Sequence, residues 1–266
     1  MTKIPVMIVL QSKSFRNGSV YALQTADGMP VETTDTFLPF YTKDSVGRKQ
    51  NGLVDNNVGS RTERWMIGVS VMSGCPVGCL FCATGQLKKW RRLTAKEIVA
   101  QVEFILGQNQ QDPQHSQEFK INYTRMGEPF LNVGAVREAI EIIDSWVPNT
   151  HHYVSTIGVQ GSDFSWIKDN ITLQLSLHSL DEARRHHLIP FPKLMSIPEL
   201  GQIRTGSRLK TTLNMTLVDA KDFDIEALKR SFDPAHFFVK LSPVNECITS
   251  QANGLGTGII EGVNAI

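Results

Sequence analysis

Strand-like and helix-like segments alternate along most of the chain, and this alternation restricts the folds that it can adopt. Six short apolar runs predict strands, and they cover residues 68–71, 119–123, 152–156, 171–177, 212–218 and 237–241. Such repetition is typical of a parallel sheet with right-handed crossovers. Six units are too few for a closed eight-stranded barrel. We therefore predict an α/β fold built as a partial (β/α)6 barrel.

The first 62 residues follow a different pattern. The turn dipeptides Asn17-Gly18 and Asp27-Gly28 separate three strand-like runs at 6–11, 19–24 and 31–37. They predict a small antiparallel β-meander, and a polar, glycine-rich loop follows at 41–62. We therefore expect two regions, the meander and loop at 1–62 and the partial barrel at 63–266.

Helix signals occur between the predicted strands. Thr94 and Glu97 form a capping-box pattern before Ile98, and Gly107 is a stop signal. Further helices are predicted at 133–146, 164–168, 197–203, 225–232 and 258–266.

Composition excludes some classes of protein. The formal net charge is +1, so charge alone does not indicate a nucleic-acid-binding protein. No apolar run approaches the roughly 20 residues of a membrane span, and the first ten residues resemble a strand rather than a signal peptide. We expect a cytoplasmic protein without a membrane partner.

Three of the four cysteines form one tight cluster. Cys75, Cys79 and Cys82 have the spacing C-x3-C-x2-C and follow the first predicted barrel strand. Thiolates are the ligands of iron–sulfur clusters, and three of them can hold a 4Fe–4S cubane while one iron stays open. That iron could bind S-adenosylmethionine (SAM), whose reductive cleavage gives a 5′-deoxyadenosyl radical. Structural zinc is the alternative, although it usually takes four ligands in paired C-x2-C spacing.

Polar residues or glycines follow several of the predicted strands, where a buried strand would stay apolar. Glu128, after Gly127, could accept a hydrogen bond from an ammonium group. Ser155, Ser176 and Asn245 are suitable partners for ribose and carboxylate groups. Each alone is typical of a turn or cap, but their recurrence at one end of the sheet favours a binding site.

A basic segment lies just after the cysteines. It contains Lys88, Lys89, Trp90, Arg91 and Arg92. One interpretation is a surface for RNA, with cations for phosphates and an aromatic ring for stacking. A solvated, purely structural segment is equally compatible with the pattern.

Taken together, these motifs resemble a known family, the radical SAM RNA adenine methyltransferases of the RlmN and Cfr group. The resemblance runs from about Ser19 to the end and rests on five ordered motifs. They are Gly-Cys-Pro-Val-Gly-Cys-Leu-Phe-Cys-Ala-Thr-Gly at 74–85, Met-Gly-Glu-Pro at 126–129, Val-Ser-Thr-Ile-Gly at 154–158, Leu-Ser-Leu-His at 175–178 and Leu-Ser-Pro-Val-Asn at 241–245.

The resemblance implies roles for individual residues. Cys75, Cys79 and Cys82 would bind the cluster, and Glu32 would accept a proton. The residues implied to line the SAM site are Gly127, Glu128, Ser155, Ser176, Leu177, His178 and Asn245. An external one-electron reductant such as flavodoxin or ferredoxin would supply the electron.

The chain also departs from the family pattern. Family members transfer a methyl group through two further cysteines, and the first of these positions is Gly68 here. The second would lie beyond Ile266, and the family's helical RNA-binding domain is missing before the meander. Cys247, the one spare thiol, follows Asn245 closely and could face the site, although an inert buried thiol is the alternative.

Three hypotheses therefore stay open. The first is a radical SAM enzyme that acts on RNA or a nucleotide. The second is a radical SAM enzyme that modifies a peptide or small metabolite without methyl transfer. The third is a non-enzymatic metal-binding protein.

Overall fold

The computed structural model describes residues 5–40, 42–43, 49–50, 58–218 and 222–256. Its strands are β1 (Ile8–Phe15), β2 (Gly18–Gln24), β3 (Pro30–Leu38), β4 (Thr42–Lys43), β5 (Lys49–Gln50), β6 (Arg64–Gly68), β7 (Met72–Ser73), β8 (Arg91–Arg92), β9 (Glu118–Tyr123), β10 (His151–Thr156), β11 (Ile171–Ser176), β12 (Thr211–Leu217) and β13 (Phe237–Pro243). Its α-helices are α1 (Ala95–Asn109), α2 (Val133–Trp146), α3 (Glu182–Leu188), α4 (Ile197–Gly201), α5 (Ile225–Ser231) and α6 (Ile248–Ala252). Short 3-10 helices occupy Ala83–Gln86, Pro113–His115 and Pro129–Leu131.

The chain divides into two compact units. The first unit comprises Met1–Ser73, Arg92–Met126 and Asn132–Tyr153, and the second comprises Gly74–Arg91, Gly127–Leu131 and Val154–Ile266. The expected boundary between residues 62 and 63 stays a prediction.

The first unit begins with the antiparallel meander that the turn dipeptides predict. Its strand order is β1-β2-β3-β6-β9, followed by the first half of β10. β1 pairs antiparallel with β2, β2 with β3 and β3 with β6, whereas β6 and β9 are parallel. Helix α1 begins with the predicted capping box, and its buried face includes Ile98, Val102 and Ile105. Burial of this face stabilises the unit through the hydrophobic effect.

The second unit contains the second half of β10 and the strands β11, β12 and β13. β11 pairs parallel with β12, and β12 pairs parallel with β13. One face of these strands is apolar, and its side chains Leu173, Leu175, Leu213 and Met215 are buried. The residues that alternate with these four along β11 and β12 are polar, and they belong to the opposite face of the sheet.

The structure confirms the predicted α/β class, with antiparallel strands first and a parallel sheet after them. The predicted strand at 68–71 is wrong in its bounds, because β6 ends at Gly68. The N–H of Val69 donates to the carbonyl of Asn122 in the last bond between β6 and β9, and the N–H of Val71 then donates to the carbonyl of Met126.

The predicted helix at 164–168 is absent from the structure. Ile167 donates to the carbonyl of Phe164 in an isolated turn, and Asp163 accepts a hydrogen bond from the N–H of Ser165. A single turn is enough to bury both Phe164 and Ile167, so no helix is needed. The predicted helix at 258–266 lies outside the described residues. Among the described residues, no helix is both long and apolar enough to cross a bilayer.

Candidate cofactor and substrate site

The predicted cluster cysteines lie on one loop of the second unit. Cys75, Cys79 and Cys82 are all partly exposed. Gly74 begins the loop with φ +70°, and a Cβ atom there would lie 2.5 Å from the carbonyl oxygen of Lys89. Only glycine fits such a position without displacement of the backbone. Gly74 therefore permits the tight backbone turn at which the loop of three cysteines begins.

The three thiols influence one another electrostatically. Burial raises the pKa of Cys75 to about 11, and the neighbouring Glu128 and Cys82 raise it as well, while N–H groups of Val77 and Gly78 lower it. Burial also raises the pKa of Cys79 well above its usual value, followed by the effects of Cys82 and Cys75. The thiols thus lie within electrostatic range of one another, in surroundings where uncompensated thiolates are unfavourable. A bound cationic centre would remove that penalty.

This donor set suits a cluster better than a single ion. In the part of the chain that the structure describes, no three His, Cys, Asp or Glu side chains form a group that could hold one metal ion. In a 4Fe–4S cubane each thiolate binds a different iron, so the sulfurs need not converge on one point. Three thiols on one loop, with N–H groups directed at Cys75, therefore fit a cluster.

Glu128 lies in the same unit and is buried, with an exposed fraction of 3%. Its Oε1 accepts a hydrogen bond from the N–H of Phe130 at 3.0 Å, and its Oε2 accepts one from the N–H of Ile157 at 3.0 Å. Burial raises the pKa of Glu128 to about 7, although hydrogen bonds from Thr156, Ile157 and Phe130 lower it. With three donors on its two oxygens, the carboxylate keeps about one lone pair for a further donor, such as the ammonium group expected from the sequence.

The other predicted SAM-site residues also belong to the second unit. Ser155 and Ser176 are half-buried near the carboxyl ends of β10 and β11, and Asn245 is exposed two residues after β13. Gly127 has φ +101°, a conformation that lets the backbone approach a ligand. The Leu177 side chain is fully buried, so only its backbone is suited to contact a ligand. The structure thus places the predicted residues in one unit, and their ligand contacts stay predictions.

His178 has an unusual conformation. Its φ is +60°, which is uncommon for a residue other than glycine and often marks a functional site. Its Nδ1 accepts a hydrogen bond from the N–H of Thr216 at 3.1 Å, and its ring packs edge-on against Phe81 at 4.8 Å between centroids. Burial, assisted by the charge of Arg185, lowers the pKa of His178 to about 3. The ring is therefore neutral near pH 7 and presents Nε2 as its donor.

Cys247 contacts the backbone of the cysteine loop. It is the N-cap of α6, its Sγ accepts a hydrogen bond from the N–H of Ser250 at 3.5 Å, and its thiol donates to the carbonyl of Phe81 at 3.6 Å. Desolvation raises its pKa, but hydrogen bonds from Ser250 and Thr249 lower it below the usual value overall. A catalytic role for this thiol stays a prediction.

Glu32 belongs to the first unit. Its Oε1 forms an ion pair with Arg125 at 3.2 Å, and both side chains are partly exposed. Its N–H donates to the hydroxyl of Ser70. No contact identifies a proton that it would accept, so the role implied by the resemblance stays a prediction.

The basic segment begins at the exposed end of the cysteine loop. Lys88 and Lys89 are exposed, and Trp90 is 50% exposed. Arg91 is half-buried and Arg92 is exposed. An exposed indole between cations has the form expected for a contact with nucleic acid.

Comparison with curated proteins identifies the relatives of the chain. It is 34% identical over 180 residues to the probable dual-specificity RNA methyltransferase RlmN of Desulfitobacterium hafniense. The match covers 64% of this chain and 50% of that protein. It is 28% identical over 238 residues to the dual-specificity RNA methyltransferase RlmN of Aliarcobacter butzleri. That match covers 85% of this chain and 63% of the relative. The chain is a homologue of RlmN. It spans about half to two thirds of the length of these RlmN proteins.

The fold of this RlmN homologue is also found in a solved structure. The crystal structure of a radical SAM methyltransferase from Sphaerobacter thermophilus matches it with a TM-score of 0.68 and 24% sequence identity. The match covers 96% of this chain and 71% of that protein. No protein-family model matches the chain.

One residue of this RlmN homologue was not identified as part of the site from the sequence. Arg185 is fully buried, and its guanidinium donates to the carbonyls of Ile157 and Met195, each at 2.6 Å. Burial lowers its pKa to about 10, while Glu182 and Cys79 raise it. Arg185 thus places a positive charge within electrostatic range of a predicted cluster ligand. No local sequence signal separates it from the exposed cations around it.

Proposed function

We propose that this chain is a radical SAM enzyme that modifies RNA. The single observation that carries the proposal is the loop of Cys75, Cys79 and Cys82, whose thiols lie within electrostatic range of one another and of Glu128. The similarity to RlmN supports the same function, because those proteins are named RNA methyltransferases.

In this proposal the cofactors are a 4Fe–4S cluster and SAM. The three loop cysteines hold the cluster, and the polar residues at the strand ends hold SAM. The second set comprises Gly127, Glu128, Ser155, Ser176, the backbone of Leu177, His178 and Asn245. When bound, the cluster supplies the electron that splits the sulfonium of SAM. The protein's own groups bind and orient: Glu128 accepts from an ammonium group, and neutral His178 donates through Nε2.

The cofactor proposal is tested by anaerobic reconstitution with iron and sulfide. The wild-type chain should bind about four irons, absorb as a 4Fe–4S protein and release 5′-deoxyadenosine from SAM when a reductant such as flavodoxin or dithionite is present. Cys75→Ala should lose most of the iron and all cleavage. Cys247→Ala is the matched control and should retain the iron. Equal iron content and cleavage in Cys75→Ala and wild type would overturn the proposal.

RNA as substrate is supported by the basic segment and by the names of the relatives. Lys88, Lys89 and Trp90 offer cations and an exposed aromatic ring on one short stretch. SAM with an isotope-labelled methyl group, incubated with total RNA and followed by nucleoside mass spectrometry, tests the substrate. Label in a modified nucleoside that disappears in Cys75→Ala would support RNA methylation.

A second candidate is radical modification of a peptide or metabolite without methyl transfer, and one observation favours it. At Gly68, where the family resemblance expects a methyl-carrying cysteine, a Cβ atom would lie 2.4 Å from Oγ1 of Thr34. A cysteine would therefore not fit there without movement of neighbours. SAM cleavage without label in any nucleoside would favour this candidate over RNA methylation.

A further inference from the structure

The second unit contains a parallel sheet with one polar face. Parallel sheets are usually covered on both faces and then have continuously apolar strands. Here the apolar face of β11 and β12 is buried, but the opposite face of β11–β13 carries Gln174, Ser176, Asn214, Thr216, Lys240 and Ser242. We call these six residues the polar face. A polar face on a parallel sheet indicates a surface that is exposed to solvent or to a polar ligand rather than packed against apolar side chains.

Strand register orders the polar face into rows. Ser176 pairs with Asn214, and Asn214 pairs with Lys240. Paired residues of a parallel sheet point to the same side, so the three side chains form one row that spans about 10 Å of backbone across two strand spacings. Ser176 is a predicted SAM contact. The row therefore leads from the predicted cofactor site to Lys240.

Lys240 differs from its neighbours in the row because it carries a charge. Its side chain is exposed and makes no hydrogen bond or ion pair with the described residues. In contrast, Asn214 donates to Oε1 of Gln174 at 3.4 Å, and the hydroxyls of Thr216 and Ser242 lie 3.5 Å apart. No carboxylate belongs to the polar face. An ammonium group in such surroundings is suited to an anionic ligand.

A second observation points to a nucleotide rather than a simple anion. Phe238 lies two residues before Lys240 on β13, so both side chains are on the same side of the sheet. Phe238 is 54% exposed. Exposed aromatic rings beside cations are typical of surfaces that stack a base and bind its phosphate. We propose that Lys240 binds a phosphate group of the substrate nucleotide on the polar face. The inference rests on the proposed function, since it concerns the substrate of the same site.

The test measures the preference of the chain for a phosphate group. Binding of adenosine 5′-monophosphate and of adenosine is compared by isothermal titration calorimetry for wild type, Lys240→Met and Lys240→Arg. Wild type should bind the monophosphate roughly 3- to 10-fold more tightly than adenosine, Lys240→Met should lose this preference, and Lys240→Arg should keep it. SAM has no phosphate, so its affinity should be unchanged in Lys240→Met.

Lys229→Met is the matched control, because Lys229 is an exposed lysine that pairs with Glu226 on α5, away from the polar face. It should keep the wild-type preference. An unchanged preference in Lys240→Met would overturn the inference, and so would a wild type without any preference. A lysine on an edge strand can also prevent edge-to-edge pairing. If Lys240→Met kept the preference and gained only self-association in analytical ultracentrifugation, that role would replace the proposal.

This result can be separated from the proposed function. A phosphate preference that depends on Lys240, together with no label in any RNA nucleoside, would keep the phosphate site and reject RNA as the substrate. Labelled RNA with an unchanged preference in Lys240→Met would keep the function and reject the phosphate site.

Discussion

Oε2 of Glu128 accepts a hydrogen bond from the N–H of Ile157 at 3.0 Å, and this bond ties the Met-Gly-Glu-Pro loop to the end of β10. The N–H of Phe130 donates to the other oxygen. A buried carboxyl that is held by two backbone donors fixes the loop in one conformation. It also couples the shape of the predicted SAM site to the protonation of a single group.

That coupling predicts a pH-dependent stability. The pKa of Glu128 is raised from 4.5 to about 7, so the folded state holds its proton over a range in which the unfolded state has released it. The stability from this group is complete below about pH 4.5 and is lost as the pH rises through about 7; the difference is on the order of 3 kcal/mol at most. Urea unfolding of wild type and Glu128→Gln between pH 5 and 8 measures it.

In this comparison the free energy of unfolding of wild type should fall, relative to that of Glu128→Gln, as the pH rises. The lowered pKa values of His151 and His178 act in the opposite direction, but they are common to both proteins and cancel. Glu226→Gln, on the exposed surface of α5, serves as the control and should follow wild type. A constant difference between Glu128→Gln and wild type from pH 5 to 8 would contradict the prediction.

A second prediction concerns the conformation of His178. Substitution by Ala removes the acceptor for the N–H of Thr216. It also places alanine at φ +60°, in the left-handed region that alanine rarely adopts. We expect His178→Ala to lower the free energy of unfolding by about 1–3 kcal/mol. Asn tolerates positive φ and retains an acceptor, so His178→Asn should lose less. Equal losses in the two variants, measured by urea unfolding, would argue against a role for the backbone conformation.

Features that depend on neighbouring residues can be predicted from the sequence, whereas features that depend on the tertiary fold cannot. Spacing alone predicts the cysteine loop and the Thr94 capping box, because both depend on residues within one short segment. Arg185 could not be recognised in this way. Its burial depends on carbonyls of Ile157 and Met195, which only the tertiary fold brings to its guanidinium. A charged side chain, taken alone, predicts a position on the protein surface.

A third prediction concerns the space at Gly68. A Cβ atom there would meet Oγ1 of Thr34 at 2.4 Å, and the side chain of Arg125 at 3.3 Å. We expect Gly68→Ala to lower the free energy of unfolding by about 1–3 kcal/mol. Removal of the obstructing hydroxyl should restore part of this loss, so the double variant Gly68→Ala, Thr34→Ala should be less destabilised than the sum of the single variants. Strict additivity in a double-mutant cycle would show that Thr34 is not the obstruction.

A fourth prediction compares two adjacent arginines with different surroundings. Arg185 is fully buried and donates to two backbone carbonyls, whereas Arg184 is partly exposed and pairs with Asp222 at 3.2 Å. Lysine cannot reproduce the planar fork of the guanidinium, so Arg185→Lys should leave a buried carbonyl unsatisfied and lower the free energy of unfolding by about 1–3 kcal/mol. Arg184→Lys keeps its charge in contact with solvent and should lose less than about 1 kcal/mol. Thermal and urea unfolding of both variants test this, and similar losses at the two positions would mean that the carbonyls of Ile157 and Met195 do not depend on Arg185.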